Sequence, residues 1–421
     1  MTPDYTIIPA GPERLRDILD VFLWSFPTLE TLDDQLKIQH GLPWGRTYLM
    51  VAPDGQPAAT HCSYALERFG VPGALLRAAA LTGVGVHPEH RRRGLLTAMI
   101  DAHLTHCVQH GEALSVLVAS EPAIYGRFGY GKASEYLHVT VPRGARLRPV
   151  AGSQDVTIRV EHADAERHTD TIVAVQREAG RVAGLIRPGW VEWEAPEATA
   201  EYFQERHLYR RQRGYETLRI MIAEQDGRPV GYASFRRKGD WSHAGPNGKV
   251  WVTAMATTTP AAAHAMWSRL ADLDLMSQTT ASLLPLDDPL LGLLVDQRCV
   301  VPKLSDGLWV RLVDLPTALS GRQYTADVDA VLEVTDERIA GNAGRWRLSA
   351  EAFADGARVT PTTDEPDLRL DVRELGAAYL GGTSLAGLAS AGLVEARTPD
   401  ALARLSTAFG WPLAPAFNWI F

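Results

Sequence analysis

The stretch "VGVHPEHRRRGLLTAM" sets three arginines and a glycine between an apolar run and a helix-forming run. Val84, Gly85 and Val86 close a strand-like segment, Pro88 makes the connection, and Arg91, Arg92, Arg93 and Gly94 open the helix. A helix start exposes backbone N–H groups without partners and the positive end of the helix dipole. Both suit phosphate oxygens. Gly94 lets a ligand come close to the backbone, and arginine can fork onto a phosphate. A basic, solvated helix start is spelled the same way, so spacing alone leaves both readings open.

Two further stretches carry groups that could move protons. "SEPAIYGRFGYG" follows the apolar run "ALSVLVAS" and places Tyr125 just past a buried strand, behind Ser120 and Glu121. A free phenol has a pKa near 10 and a thiol near 8.5, so a phenol can protonate a thiolate at small cost. Packing before a glycine-rich turn is the alternative, and Tyr130 is the second candidate. The chain then ends "WPLAPAFNWIF", with two tryptophans and two phenylalanines in eleven residues. Chain ends usually fray into water, whereas large aromatics favour burial. Burying Phe421 draws in a carboxylate, which needs a partner or a task. Its reference pKa, about 3.3–3.7, means that a water relay or an apolar pocket would help it act as a base. A packed strand whose carboxylate meets a surface arginine is the plainer reading.

The elements that must position these groups alternate. "YTIIPA" reads as a strand, and "PERLRDILDVFLWSF" as an amphipathic helix with Leu15, Ile18, Leu19 and Phe22 on one face. "RTYLMVAPDGQPAATHCSYAL" reads as two strands around a turn at Asp54-Gly55, and "LLRAAALTGVGV" as a long buried strand. The helix over "HRRRGLLTAMIDAHLTHCVQHG" closes at Gly111. "VTIRVEHADAERHTDTIVAVQREAG", "LRIMIAEQDGRPVGYASFRRKG" and "VWVTAMATTTPAAAHAMWSRLADLDL" then repeat this order, with "DGRP" for "DGQP" and Pro260 for Pro88. The repeat favours a duplication. In the second copy "PEHRRRGLL" has become "PAAAHAMWS", so that unit keeps the fold without the basic loop. From about Leu315 the order changes: "LRLDVRELGAAYLGG" reads as strand then helix, "GNAGRWRLSAEAFADGARVTP" as a hairpin, and "SLAGLASAGLVEA" and "PDALARLSTAFGW" as small-residue helices.

Composition narrows the classes. The chain has 421 residues with 46% apolar and 22% charged content, which suits two to four globular domains. A net charge of -8 argues against a general nucleic-acid binder and mildly favours cationic substrates. Cys62, Cys107 and Cys299 are scattered and odd in number, which fits a reducing cytosol rather than a disulfide framework. The thirteen histidines form no metal-binding pattern; His87, His90, His103 and His106 read as solvated or paired. The start lacks the features of a signal peptide, and no run of about 18 apolar residues predicts a membrane span. Glu30, Asp33 and Asp34 in "TLETLDDQL" would welcome a polycationic amine or form a solvated loop; Trp24 and Phe26 beside them would line a pocket or pack in the core.

Arg91-x-x-Gly94-x-x between a strand and a helix resembles the acyl-CoA pyrophosphate loop of the GNAT N-acetyltransferases. That family usually has Gly or Ala in the last position, where this chain has Leu96. "HRRRGLL", "SEPAIYGRFGYG" and the aromatic end together resemble the Eis (enhanced intracellular survival) branch, over nearly the whole chain. The resemblance implies an α/β (α+β) architecture. Its parts would be a catalytic GNAT domain at about 1–150, a degenerate GNAT-like domain at about 151–300, and a sterol-carrier-like α+β domain at about 301–421.

It also implies roles. Val84, Gly85 and Val86 would hydrogen-bond the pantetheine arm of acetyl-CoA, with backbone N–H groups near Val86 holding the acetyl oxygen. Arg92, Arg93, Gly94, Leu95, Leu96 and Thr97 would wrap the pyrophosphate, and Ser120 and Glu121 would border the arm. Tyr125 would be the general acid and the Phe421 carboxylate the general base. The acceptor would be a small polyamine, aminoglycosides being the family's known class, and the assembly a homohexamer. No metal and no nucleic acid enter. Acetylation of protein lysines, or a lipid-binding scaffold based on the C-terminal domain, remain the alternatives.

Overall fold

Alternating and continuous apolar runs become the strands of three principal sheets in the computed structural model, which describes residues 5–28, 30–38, 40–192, 203 and 214–421. The chain divides into two compact units. One comprises Met1–Ser134, Leu308–Pro412 and Trp419–Phe421; the other comprises Glu135–Gly307 and Leu413–Asn418.

The first unit opens with β1 (Thr6–Pro9), α1 (Leu15–Ser25) and a short α2 (Leu32–Gln35). Then come β2 (Thr47–Val51), β3 (Pro57–Val71), β4 (Ala74–Val86), α3 (Leu95–Gln109), β5 (Leu114–Val118) and β6 (Gly131–Lys132). The turn between β2 and β3 falls at Asp54-Gly55, where Gly55 has φ +86°, and Gly111 at φ +65° ends α3. Helix α1 buries Ile18, Leu19 and Val21, while Phe22 lies at its exposed rim. The buried stripe is therefore turned by one position from the Leu15/Ile18/Leu19/Phe22 face. Val21 is drawn in because α1 crosses β4 where Gly85 leaves room: a Cβ on Gly85 would stand 2.5 Å from Ser25 Oγ.

The second unit repeats the order with β7 (Glu135–Pro142), β8 (Thr157–His162), α4 (Ala165–Ala179) and a small ribbon of β9 (Arg181–Val182) and β10 (Leu185–Ile186). It continues with β11 (Arg219–Gln225), β12 (Arg228–Lys238), a second ribbon of β13 (Trp241–Ser242) and β14 (Gly245–Pro246), and β15 (Gly248–Thr257). Helix α5 (Pro260–Leu270), β16 (Met276–Leu284), α6 (Pro289–Leu293) and β17 (Lys303–Asp306) complete it. Its core gathers Val139, Met221, Phe235, Val250, Met266 and Trp267. Burying each such side chain contributes roughly 1.5–3 kcal/mol before the entropy of ordering is subtracted.

The chain returns to the first unit with β18 (Leu308–Leu312), α7 (Leu315–Ser320), β19 (Val328–Thr335), β20 (Gly344–Ala350), β21 (Arg358–Pro361), β22 (Leu368–Asp371), α8 (Val372–Ala378), α9 (Leu385–Ser390), β23 (Val394–Ala396) and α10 (Pro399–Phe409). The first sheet has the order β1-β2-β3-β4-β5-β18-β6, the second β17-β7-β16-β15-β12-β11-β8, and the third β21-β20-β19-β22-β23. Read from β8, the second sheet matches the first strand for strand. Each carries one parallel step at the corresponding place, β4 with β5 and β15 with β16.

Three elements differ from the sequence reading. β7 follows β6 along the chain yet pairs with β16 and β17 in the second sheet, and β18 pairs with β5 and β6 in the first. These memberships cut across boundaries near 150 and 300, because strand partners are chosen by sheet edges far away in sequence. The segment "SLAGLASAGLVEA" is not one helix. Gly392, at φ +76°, ends the helical part, and Val394–Ala396 pairs with β22.

In the C-terminal part, the fully buried Arg322 guanidinium donates to the carbonyls of Gln323 (3.1 Å), Phe409 (2.9 Å) and Tyr379. It lies over the rings of Tyr324, Tyr379 and Phe409. Burial lowers its pKa. It ties the ends of α8 and α10 together, just before the terminal segment begins.

Candidate active site

β4 keeps its antiparallel register with β3 out to Ala59–Val86, and β5 keeps its register with β18 out to Val118–Leu308. Between β4 and β5, however, the parallel register covers only Ala78–Ala80 against Leu114–Val116. The sheet therefore opens between these strands. A register shift in the β3–β4 pair between Thr60 and Cys62, with Gly83 opposite at φ +59°, marks where β4 bends away. His87 N–H donates to the Ala58 carbonyl at 2.9 Å, toward β3. By the alternation of a strand, the polar groups of Val86 and Val84 then face the opening. Arg91 Nε reaches the Val86 carbonyl at 3.4 Å from that side.

Beyond Val86 a short 3-10 turn, Pro88–His90, leads into the arginine loop. Arg91, Arg92, Arg93 and Gly94 are all exposed. Arg93 donates to the Tyr5 hydroxyl at 2.7 Å, which also bonds His90 Nδ1 at 2.9 Å. Arg92 has φ +62°, a strained conformation for a non-glycine residue that often marks functional loops. Gly94 is the N-cap of α3 at φ +78°, and no side chain caps the helix. No side chain thus competes for the first N–H groups of α3, which begins beside exposed guanidinium groups.

Leu95 is buried among Met50, Ala52, Ala58, Ala59 and Met99, and Leu96 packs against the same core. This places the Leu96 side chain inward, so a large residue is tolerated where the related loops carry Gly or Ala. Thr97 is half-buried in the first turn. In the second copy the corresponding helix start is self-sufficient: Thr259 caps α5 by accepting from Ala262 N–H at 3.1 Å.

β5 ends at Val118, and Ser120 and Glu121 are exposed just after it. The 3-10 helix Pro122–Phe128 carries Tyr125 and stops at Gly129, φ +82°. Tyr125 packs on the cluster of Ala79, Leu81, Ile100, Leu104, Leu117 and Phe128, the one that also takes Val84 and Leu96. One core thus supports the strand end, the loop and the tyrosine. Burial, reinforced by the charge of Glu121, pushes the Tyr125 hydroxyl up to about 12.

Tyr130 is a core residue instead. It is fully buried and bonds Ser115 Oγ at 2.7 Å, which in turn bonds His103 Nε2 at 2.7 Å. The buried Arg311–Asp336 pair, at 2.7 Å to both carboxylate oxygens, lies beneath the turn, with the Arg311 guanidinium 2.9 Å from where a Gly129 Cβ would stand. Nothing in local sequence flagged that pair.

The terminal segment divides. Ala416, Phe417 and Trp419 are buried, Ile420 is 56% exposed and Phe421 is half-buried. In the second unit, Asn418 accepts from Val191 N–H at 2.9 Å and donates to Gln176 Oε1 at 2.6 Å, while Phe417 meets Tyr136 edge-on. In the first unit, Trp419 meets Tyr64 of β3 edge-on at 4.7 Å, and Phe421 meets Trp419 at 5.6 Å. Among the described residues no ion pair engages the Phe421 carboxylate.

The remaining candidates have local tasks. Asp34 completes a capping box with Thr31. Asp33 is exposed, with Arg16 at 3.5 Å. Trp24 is 58% exposed and meets His87 edge-on at 5.2 Å; Phe26 packs on Phe22. His106 stacks on Tyr48, and burial lowers its pKa. Among the described residues, no group of three or more His, Cys, Asp or Glu side chains could hold a metal ion, and no helix is long and apolar enough to cross a membrane.

Comparison with known proteins gives this geometry a context. Residues 7–133 and 189–312 match two acetyltransferase (GNAT) domain families, and residues 315–418 match the sterol carrier protein domain. An uncharacterized N-acetyltransferase of Streptomyces avermitilis is 42% identical over 83% of either chain. The N-acetyltransferase Eis of Mycobacterium bovis is 32% identical over 84% of this chain and 83% of its own. The crystal structure of Eis1 from Mycobacterium abscessus superposes with a TM-score of 0.81 at 28% identity, covering 99% of this chain and 100% of that one.

Proposed function

The chain belongs to the Eis family of GNAT N-acetyltransferases, and from that premise we propose that it acetylates amines of a small polycationic acceptor of the aminoglycoside type. In this reading Tyr125 is the general acid and the Phe421 carboxylate the general base. The observation that carries it is the parting of β4 from β5 past Ala80 and Val116, beside the uncapped start of α3.

The residues present fit acetyl-CoA. Exposed Arg92 and Arg93 and the first turn of α3, which no side chain caps, suit a pyrophosphate. A Cβ added to Gly94 would have nothing within 4 Å, so a phosphate has room to approach the backbone there. The unpaired edge of Val84 and Val86 suits an amide-bearing arm, as an added strand would. Bound there, acetyl-CoA supplies an acetyl group activated as a thioester.

The chain's own residues do the rest. The N–H groups facing the opening orient the acetyl carbonyl and stabilise charge growing on its oxygen. The Phe421 carboxylate takes the proton shed by the attacking amine. The C–N bond forms as the C–S bond breaks, and the Tyr125 hydroxyl gives its proton to the leaving sulfur. A phenol near 12 stays protonated throughout the neutral range. Its weaker acidity is offset because a thiolate released in the same desolvated place is raised as well. The net charge of -8 favours a cationic acceptor.

The test is thiol release from acetyl-CoA with an aminoglycoside, comparing the chain with one extended by a few residues beyond Phe421. The extended chain is expected to bind acetyl-CoA but to lose about 100-fold or more in kcat, the range for a lost general base. Equal activity of the two would overturn the base assignment. Inactivity of both would overturn the acceptor class.

A further inference from the structure

The two faces of the first sheet carry different parts of the site. Ala79 and Leu81 of β4 point to the α3 face, in the cluster that holds Tyr125. Tyr64 lies opposite Ala80 in the β3–β4 register, so its ring points to the other face. That is the face of α1, since Gly85, opposite Thr60, approaches Ser25 there. Ala80 is also the last β4 residue paired with β5. Tyr64 therefore stands level with the point at which the sheet opens.

The Tyr64 ring is fixed at both ends. It is 5% exposed, and its hydroxyl donates to the Gly41 carbonyl at 3.0 Å. Trp419 rests edge-on against it, and Phe421 edge-on against Trp419. Edge-on aromatic pairs of this kind add to the burial of their rings, and two in series tie Phe421 to β3 through Trp419.

We propose that Tyr64 is a positioning residue for the reaction: through Trp419 it holds Phe421 at the mouth of the β4–β5 opening. This rests on the reading of Phe421 as the base. The hydroxyl bond to Gly41 serves to keep the ring at its angle to Trp419, so the ring itself carries most of the effect.

The experiment uses the full chain in Tyr64→Leu, Tyr64→Phe, Trp419→Leu and Tyr64→Leu/Trp419→Leu forms, together with the chain extended past Phe421. Acetyl-CoA binding reports folding, and thiol release with an aminoglycoside reports turnover. Tyr64→Leu is expected to lower kcat about 10- to 100-fold with KM for acetyl-CoA within about twofold. Tyr64→Phe should restore kcat to within about threefold of the native chain, which a loss of general stability would not predict. Trp419→Leu should match Tyr64→Leu, and the double variant should lose no more than either, because both act through one contact. If Tyr64→Leu does not fold, the Trp419→Leu comparison decides. The proposal is overturned if the extended chain is inactive while Trp419→Leu and Tyr64→Leu keep kcat within twofold, or if their losses multiply. An extended chain of full activity overturns the base reading itself, and the positioning role falls with it.

Discussion

Ala80 of β4 pairs in parallel with Val116 of β5, and the register between the two strands ends there. Each strand goes on bonding to its other neighbour, so the opening is built into the sheet and needs no movement to form. Preformed sites of this kind spend less binding energy on ordering.

The helix start beside the opening depends on Gly94. With φ +78° and no neighbour within 4 Å of an added Cβ, Gly94→Ala meets backbone strain, about 1 kcal/mol, rather than a clash. Its methyl group would stand where a phosphate approaches. KM for acetyl-CoA is expected to rise about 10-fold or more while the melting temperature moves by only a few degrees. The counterpart in the second copy should behave the other way. Thr259→Ala removes a helix cap, costing about 1 kcal/mol in denaturant titration, with KM for acetyl-CoA unchanged.

Tyr125 gives a pH signature. Its folded pKa, about 12, lies above the ordinary phenol value of about 10. The acid form is therefore retained up to alkaline pH, and kcat should show no fall attributable to Tyr125 below about pH 10. Glu121→Gln removes a negative charge that disfavours the phenolate, so the alkaline limb should move to lower pH. Tyr125→Phe should lose about 100-fold in kcat with KM for acetyl-CoA within a few-fold. A pH–rate profile of the three proteins checks this, and full activity of Tyr125→Phe would remove the tyrosine from the acid role.

Acid stability should be governed by buried histidines of the first unit. His61 is buried between Tyr48 and His103, and among the described residues neither of its ring nitrogens has a hydrogen-bond partner. Burial, then the neighbouring His106, lowers its pKa to about 3, and burial also lowers that of His103. Well above pH 6.5, at about pH 7.5 and higher, both folded and unfolded forms are neutral at these sites and nothing is lost. Below it the unfolded chain takes up protons that the folded chain refuses, so stability falls with pH. For two such groups the loss between pH 7.5 and 5.5 is roughly 2.5 kcal/mol. His61→Phe should about halve that loss and leave stability at pH 7.5 within about 1 kcal/mol of the native chain or above it. Denaturant melts at the two pH values measure both.

Much of this was legible before the fold. Period-2 and period-3.6 patterns fix most strands and helices, glycines such as Gly55 and Gly111 mark turns and helix ends, and the change from "HRRRGLL" to "AAHAMWS" tells the two copies apart. Local chemistry determined these, since a helix start, a turn or a cap is decided within a few residues. Only the tertiary structure decided the rest. Which sheet receives β7 and β18, that Tyr130 is tied to Ser115 while Tyr125 packs on the cluster of Ala79, Leu81 and Phe128, that Arg311 and Asp336 underlie the Tyr125 turn, and that Tyr64 receives Trp419 all depend on residues tens to hundreds of positions apart. Such contacts are set by sheet register and by the packing of faces, which no local pattern records.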